Sequence, residues 1–113
     1  MPIDILVVLG SKEYAVKRLS RYGVTEEYLG NWVGMVTESR DKSGQGFYII
    51  WVSEKPLTLD WHDTLAHEAS HVIDLIFTNH SIEESGEVRA ILMGEIVKQV
   101  IAIGAKVKRR YPR

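Results

Sequence analysis

Two histidines four residues apart, with a glutamate directly after the first, stand in the segment Thr64-Leu65-Ala66-His67-Glu68-Ala69-Ser70-His71-Val72-Ile73-Asp74. On an α-helix, side chains at i and i+4 rise one above the other from the same face, so the imidazoles of His67 and His71 can converge on two positions of a tetrahedral zinc ion. Glu68 is turned by about 100° from His67 and points beside such a metal rather than at it. From there it can hold and deprotonate a water whose pKa the metal lowers toward neutrality. The chemistry implied is metal-assisted hydrolysis with Glu68 as general base.

A motif this short arises by accident in roughly one chain in a hundred of this composition, so its surroundings must carry weight. Projected at about 100° per residue, Asp60, Asp63, Thr64, His67, His71, Asp74 and Thr78 share one helical face, and Leu65, Ala69, Val72 and Ile76 occupy the opposite one. The histidines therefore lie on a polar stripe. A histidine that merely fills a core would lie on the apolar arc. His62 and His80 flank the motif helix and could donate to a developing oxyanion, but each reads more simply as a helix-end histidine. Tyr48 and Arg89 are further possible donors that no spacing selects. Of Trp32, Trp51 and Trp61, at least two are expected in the core, with the remainder available to line a groove.

The elements that must position these groups follow from periodicity and punctuation. Ile3 to Leu9 is apolar at nearly every position and predicts a strand covered on both faces and central in its sheet. Ser11 caps a helix from Lys12 to about Tyr22, with Tyr14, Ala15 and Leu19 inward and Gly23 at its end, and Thr25 caps a short helical turn to Leu29. Trp32 to Glu38 and Phe47 to Val52 are β-branched and aromatic runs joined by a polar, glycine-containing connector, which predicts a hairpin. Pro56 stops the second strand. A helix opening at Asp60 runs from Trp61 to about Thr78, and Ser81 with Glu84 forms a capping box for a last helix that Gly104 ends near Ile103. The order strand, helix, hairpin, motif helix, helix predicts an α+β domain with helices packed on one face of a short sheet. Residues 1–104 form that domain, and residues 105–113 a basic C-terminal tail.

Composition narrows the function. With 113 residues, 45% hydrophobic and 26% charged, the chain suits one folded domain. It contains no cysteine, which excludes thiolate metal sites, disulfides and cysteine nucleophiles, so any metal must sit on His, Asp or Glu. A formal net charge of -1 gives no general pull toward nucleic acid or anionic lipid. The apolar start is too short for a membrane span, is interrupted by Asp4 and lacks the marks of a signal peptide, which predicts a cytoplasmic location.

At these residues the chain resembles the zincin metallopeptidases, in which a sheet precedes the motif helix, an edge strand binds extended peptide antiparallel, and a later helix delivers a third ligand. The metzincin branch would need Gly at position 74 and His at 77, which are Asp74 and Phe77. A peptide deformylase would add a cysteine. The resemblance that is left is to gluzincins, whose third ligand is a glutamate on the following helix, and Glu87-x-x-Ala90 looks like the glutamate segment of small, phage-encoded metallopeptidases. It implies Zn2+ on His67, His71 and Glu87. Glu83, Glu84 and Glu95 are further candidates, and Asp74 would ligate only if the helix unwound before it. Glu87 is favoured because Ala90 and Gly94 on its own face would let the two helices approach closely.

What the resemblance implies is hydrolysis of peptide or amide bonds, with peptide as substrate and the Phe47 to Val52 strand as the edge on which it adds. The alternative is a non-catalytic module in which zinc staples the helix pair, with the tail Lys106, Lys108, Arg109, Arg110 and Arg113 contacting an acidic partner or nucleic acid.

Overall fold

The computed structural model describes residues 4–80 and 85–108. In chain order the elements are β1 (Ile5–Leu9), α1 (Lys12–Leu19), a 3-10 turn (Ser20–Tyr22), α2 (Glu26–Leu29), β2 (Gly34–Arg40), β3 (Gly46–Val52), α3 (Leu59–His80) and α4 (Gly86–Lys108). No helix among the described residues is long and apolar enough to cross a membrane.

Local chemistry sets the helix starts. The Ser11 hydroxyl accepts from the Tyr14 N–H at 3.1 Å, and that of Thr25 from the Tyr28 N–H at 3.1 Å, as the sequence predicts. Gly23 takes the left-handed φ of 85° that ends the first helical unit. Tyr14, expected inward, is exposed. The motif helix begins earlier than Asp60, because the Thr58 hydroxyl accepts from the Trp61 N–H at 3.3 Å and leaves Asp60 in the first turn. The expected capping box of Ser81 and Glu84 lies outside the described residues, and the hydroxyl that receives the Val88 N–H, at 3.1 Å, is that of Ser85.

The three strands are ordered β1-β3-β2, with β3 parallel to β1 and antiparallel to β2. This reverses two expectations: β3 is the central strand, and β1 is an edge. The apolar character of β1 reports how it is covered, since helices lie on both faces of this small sheet, and coverage says nothing about rank within it. Tyr48, Ile50 and Val52 of β3 join Leu9 in a core shared with Trp61, Leu65, Val72, Ile73 and Ile76 of α3 and Ile96 and Val100 of α4. Ile49 and Trp51, on the alternate positions, face the other way, onto Ala15, Leu19, Val24 and Leu29. The prediction of helices on one face is corrected accordingly: α3 and α4 cover one side, α1 and α2 the other. Each fully buried Leu, Ile or Val contributes about 1.5–3 kcal/mol, so both layers are needed to hold the sheet.

Helix α4 runs on through Gly104, which the sequence reading placed at its end. A β-carbon there would stand 3.0 Å from the buried Trp61 ring, so this glycine makes room for an indole rather than a helix stop. The proposed division at residue 104 therefore falls inside a helix, and residues 109–113 of the basic tail lie outside the described residues.

Candidate metal centre and groove

The α3 stripe behaves as its periodicity predicts. Leu65, Ala69, Val72 and Ile76 are buried, while Asp63, Thr64, His67, His71, Asp74 and Thr78 line one wall of a groove of about 840 Å³. Asp60 does not line it. The opposite wall is the segment 31–36 with Tyr28, so the groove lies between α3 and β2.

Within it, the Nε2 atoms of His67 and His71 are 3.2 Å apart, their rings edge to face at a centroid distance of 4.7 Å, and both residues are exposed to the groove. Two nitrogens each about 2.0–2.1 Å from one tetrahedral zinc would be about 3.3–3.4 Å apart. The 3.2 Å spacing of the pair thus matches the separation of two ligand positions on a zinc ion. Glu68 is 7% exposed, a carboxylate sunk into the groove floor. Burial pushes its carboxyl above the ordinary value, opposed by the attraction of His67 and His71.

Gly34 is what brings β2 this close. A β-carbon on it would stand 2.7 Å from Thr64 Cγ2 and 3.1 Å from Glu68 Cγ. Thr64, one turn before Glu68, donates its hydroxyl to Glu54 Oε2 at 2.5 Å, which ties the strand-to-helix connection to the groove. Sequence reasoning missed Gly34, Tyr28 and Glu54. The signal for Gly34 was a glycine inside the Trp32 to Glu38 run, a place where a backbone approaches something closely.

Glu87 is not brought to the histidines. It lies nine positions before the buried Ile96, half a helical turn away in projection at about 100° per residue, and so on the side of α4 opposite the one it buries. Glu87, Ala90 and Gly94 are all exposed, and a β-carbon on Gly94 would meet nothing within 4 Å. The small-residue face expected to press on the motif helix is turned outward. The register agrees. Arg89 donates to Asp74 Oδ1 at 2.9 Å and lies over the Phe77 ring, and Gly104 meets Trp61, so α4 runs antiparallel to α3 with residue 87 level with the far end, beyond Asp74. Among the described residues, no set of three or more His, Asp or Glu side chains is gathered as a metal would need. Glu83 and Glu84 lie outside them, and Glu95 is exposed.

The remaining candidates are placed as follows. Asp74 lines the groove but is bound to Arg89. His62 Nδ1 is 2.8 Å from the Thr58 carbonyl oxygen, and the Tyr48 hydroxyl accepts from Asn79 Nδ2 at 3.4 Å, both away from the groove lining. His80 closes α3, and its side chain is outside the described set. Trp51 and Trp61 are fully buried, and Trp32 lines the groove at 53% exposure.

Comparison of the chain with protein-family models, with curated proteins and with solved structures gives no match in any of the three.

Proposed function

We propose that this chain is a zinc-dependent hydrolase of peptide or amide bonds, gluzincin-like in its motif, with His67 and His71 holding the metal and Glu68 as general base. The observation that carries this reading is the pair of imidazole nitrogens 3.2 Å apart on the wall of an open groove, with a buried carboxylate on the next residue. When bound, zinc supplies a Lewis acid that polarises a carbonyl and acidifies water. A Glu68 carboxylate oxygen takes the water's proton and passes it to the departing amine. The open groove favours an enzyme over a structural site, which four protein ligands would close.

The strand that orients the substrate is β2, in place of the Phe47 to Val52 strand, which is paired on both sides. The Ser53 N–H donates to the Val33 oxygen and the Asp41 N–H to the Gln45 oxygen, each at 2.9 Å, so odd-numbered residues of β2 bond to β3. Gly34, Val36 and Glu38 consequently turn their main-chain N–H and C=O groups toward the free edge. An extended peptide laid there is held by main-chain hydrogen bonds with its carbonyls over the histidines.

The test compares wild type with Glu68→Gln for zinc content and for cleavage of a mixed peptide library. The expected result is equal zinc and a loss of cleavage of about 10²–10⁴-fold. Undiminished cleavage by Glu68→Gln, or a zinc-loaded wild type that cuts no peptide, would overturn the reading.

A further inference from the structure

We propose that the hollow beside the end of α1, on the side of the sheet away from the metal groove, binds single-stranded nucleic acid. The inference is independent of the hydrolase reading. Lys17, Arg18, Ser20, Arg21, Tyr22 and Phe47 line a hollow of about 480 Å³, and no acidic residue lines it. Phe47 packs with Ile49 and Trp51 on the sheet face that α1 covers, while α3, which carries the histidines, covers the other. The formal net charge of -1 is a sum over the whole chain and does not bear on so local a cluster.

The three cations have no acid of their own. Among the described residues the one ion pair is that of Arg89 with Asp74, so Lys17, Arg18 and Arg21 neutralise no carboxylate there. Arg21 follows Lys17 by four positions and Arg18 by three, which sets like charges side by side where they repel. The C-terminal dipole of α1 favours Lys17 and Arg18 in its last turn, but Arg21 lies past that helix, in the 3-10 turn. Its guanidinium stands 4.9 Å over the Tyr22 ring, and Phe47 meets the same ring edge to face at 5.5 Å and 77°. Cations and rings thus form one contiguous surface.

That mixture decides the occupant. Exposed cations hold a polyanion by releasing its counterions, which takes several phosphates, and a lone phosphate gains little at residues as open to water as Lys17, Arg18 and Arg21. An acidic peptide or an anionic lipid surface would meet the charge but leave the rings without a role. Unpaired bases stack on aromatic rings and guanidinium planes, whereas a duplex keeps its bases stacked inside. The hollow also continues along the sheet. A second one, of about 640 Å³, shares Phe47 and reaches Arg40 and Gln45 of the β2–β3 connector. Glu38 on its lining is engaged by the Asn79 amide at 2.6 Å. A strand crossing Phe47 therefore passes from the α1 cations to Arg40.

The experiment follows the fluorescence anisotropy of a labelled oligothymidylate as the full chain is titrated in, and it needs no turnover. The wild type should bind with a Kd of about 1–100 μM. Contact with three phosphates of a single strand gives a logarithmic salt slope of about -2, so affinity should fall roughly 20-fold between about 50 and 200 mM salt. Lys17→Gln, Arg18→Gln and Arg21→Gln combined, all at exposed positions, should weaken binding by at least about tenfold and flatten that slope. Phe47→Leu should weaken it about tenfold with the slope unchanged, the mark of a stacking ring rather than a charge. Thermal unfolding checks that each variant is folded, and should Phe47→Leu not be, the comparison with duplex carries the stacking claim.

Further arms separate this surface from the basic tail and from other anions. Changing Arg109, Arg110 and Arg113 to Gln should leave affinity within about twofold, and a DNA duplex or phosphatidylserine vesicles should bind at least about tenfold more weakly than the single strand. A wild type that binds no oligothymidylate would overturn the proposal. So would binding that survives the triple α1 variant, a loss that follows the tail variant instead, or a duplex or vesicle held as tightly as the single strand.

Discussion

Gly34 touches Glu68: the space where its β-carbon would be is 3.1 Å from Glu68 Cγ, 2.7 Å from Thr64 Cγ2 and 3.0 Å from the Trp51 carbonyl oxygen. The Trp51 oxygen belongs to the central strand and cannot yield. In Gly34→Ala, then, either β2 lifts from α3 or the Thr64 and Glu68 side chains turn away. Overpacking of this kind costs about 1–3 kcal/mol. We expect zinc content to be retained and kcat/KM on the library peptides to fall about 10- to 100-fold, because a base displaced by a fraction of an ångström is a poor base. A Gly34→Ala protein as active as wild type would show that strand contact does not orient Glu68.

Glu87 should be dispensable for metal binding. It faces away from α3 at the end of α4 farthest from His67. Zinc affinity of Glu87→Ala, measured by competition with a chelator, is expected within about twofold of wild type, while His67→Ala and His71→Ala lose it by at least about 100-fold. Loss of zinc in Glu87→Ala would mean that α4 turns its outward face to the histidines when metal binds.

The contrast between His67 and Glu87 shows what this sequence makes legible. The polar stripe of α3 could be read because its apolar counterpart, Leu65, Ala69, Val72 and Ile76, is nearly uninterrupted and leaves one orientation. Helix α4 carries apolar residues almost all round, so its buried side could not be picked from periodicity, and the small residues Ala90 and Gly94 were taken for a contact face when they are exposed. The hairpin was legible from its two β-branched runs and polar connector. Strand order was not, since it depends on where β1 docks, and β1 pairs with β3 across more than forty residues of intervening chain. Gly34 went unread because close approach between a strand and a helix leaves no mark except a missing side chain.

Asp41 should make the hairpin's stability depend on acid. Its carboxylate accepts from the Ser43 hydroxyl at 2.6 Å and from the Ser43 and Gln45 N–H groups, each at 2.9 Å. The Ser43 hydroxyl first, then the backbone donors, hold its pKa below the ordinary 3.8. A depressed carboxylate contributes stability that is present above its unfolded pKa and lost as pH falls through the folded one. The Tm difference between wild type and Asp41→Ala is therefore expected to be constant near neutrality and to close at pH values below 3.8. A difference that stays constant through that range would show that the connector is held by something other than the ionised carboxylate.

Two glycines of α4 should respond to alanine in opposite directions. Both sit inside a helix, where replacing Gly by Ala gains about 1 kcal/mol of backbone preference. At Gly94 the new β-carbon meets nothing within 4 Å, so the gain stands alone, and Gly94→Ala should raise Tm by about 4 °C. At Gly104 the β-carbon would lie 3.0 Å and 3.1 Å from Cζ2 and Cη2 of Trp61, a fully buried ring whose movement would disturb the core between α3 and β3. Overpacking there costs about 1–3 kcal/mol, which cancels or exceeds the same gain, so Gly104→Ala should leave Tm unchanged or lower it, and Gly104→Val should lower it clearly. Thermal unfolding of the three variants side by side decides the matter. A Gly94→Ala protein that loses stability would mean that the outward face of α4 is covered in solution, and a stabilised Gly104→Ala would mean that Trp61 has room that this packing does not leave it.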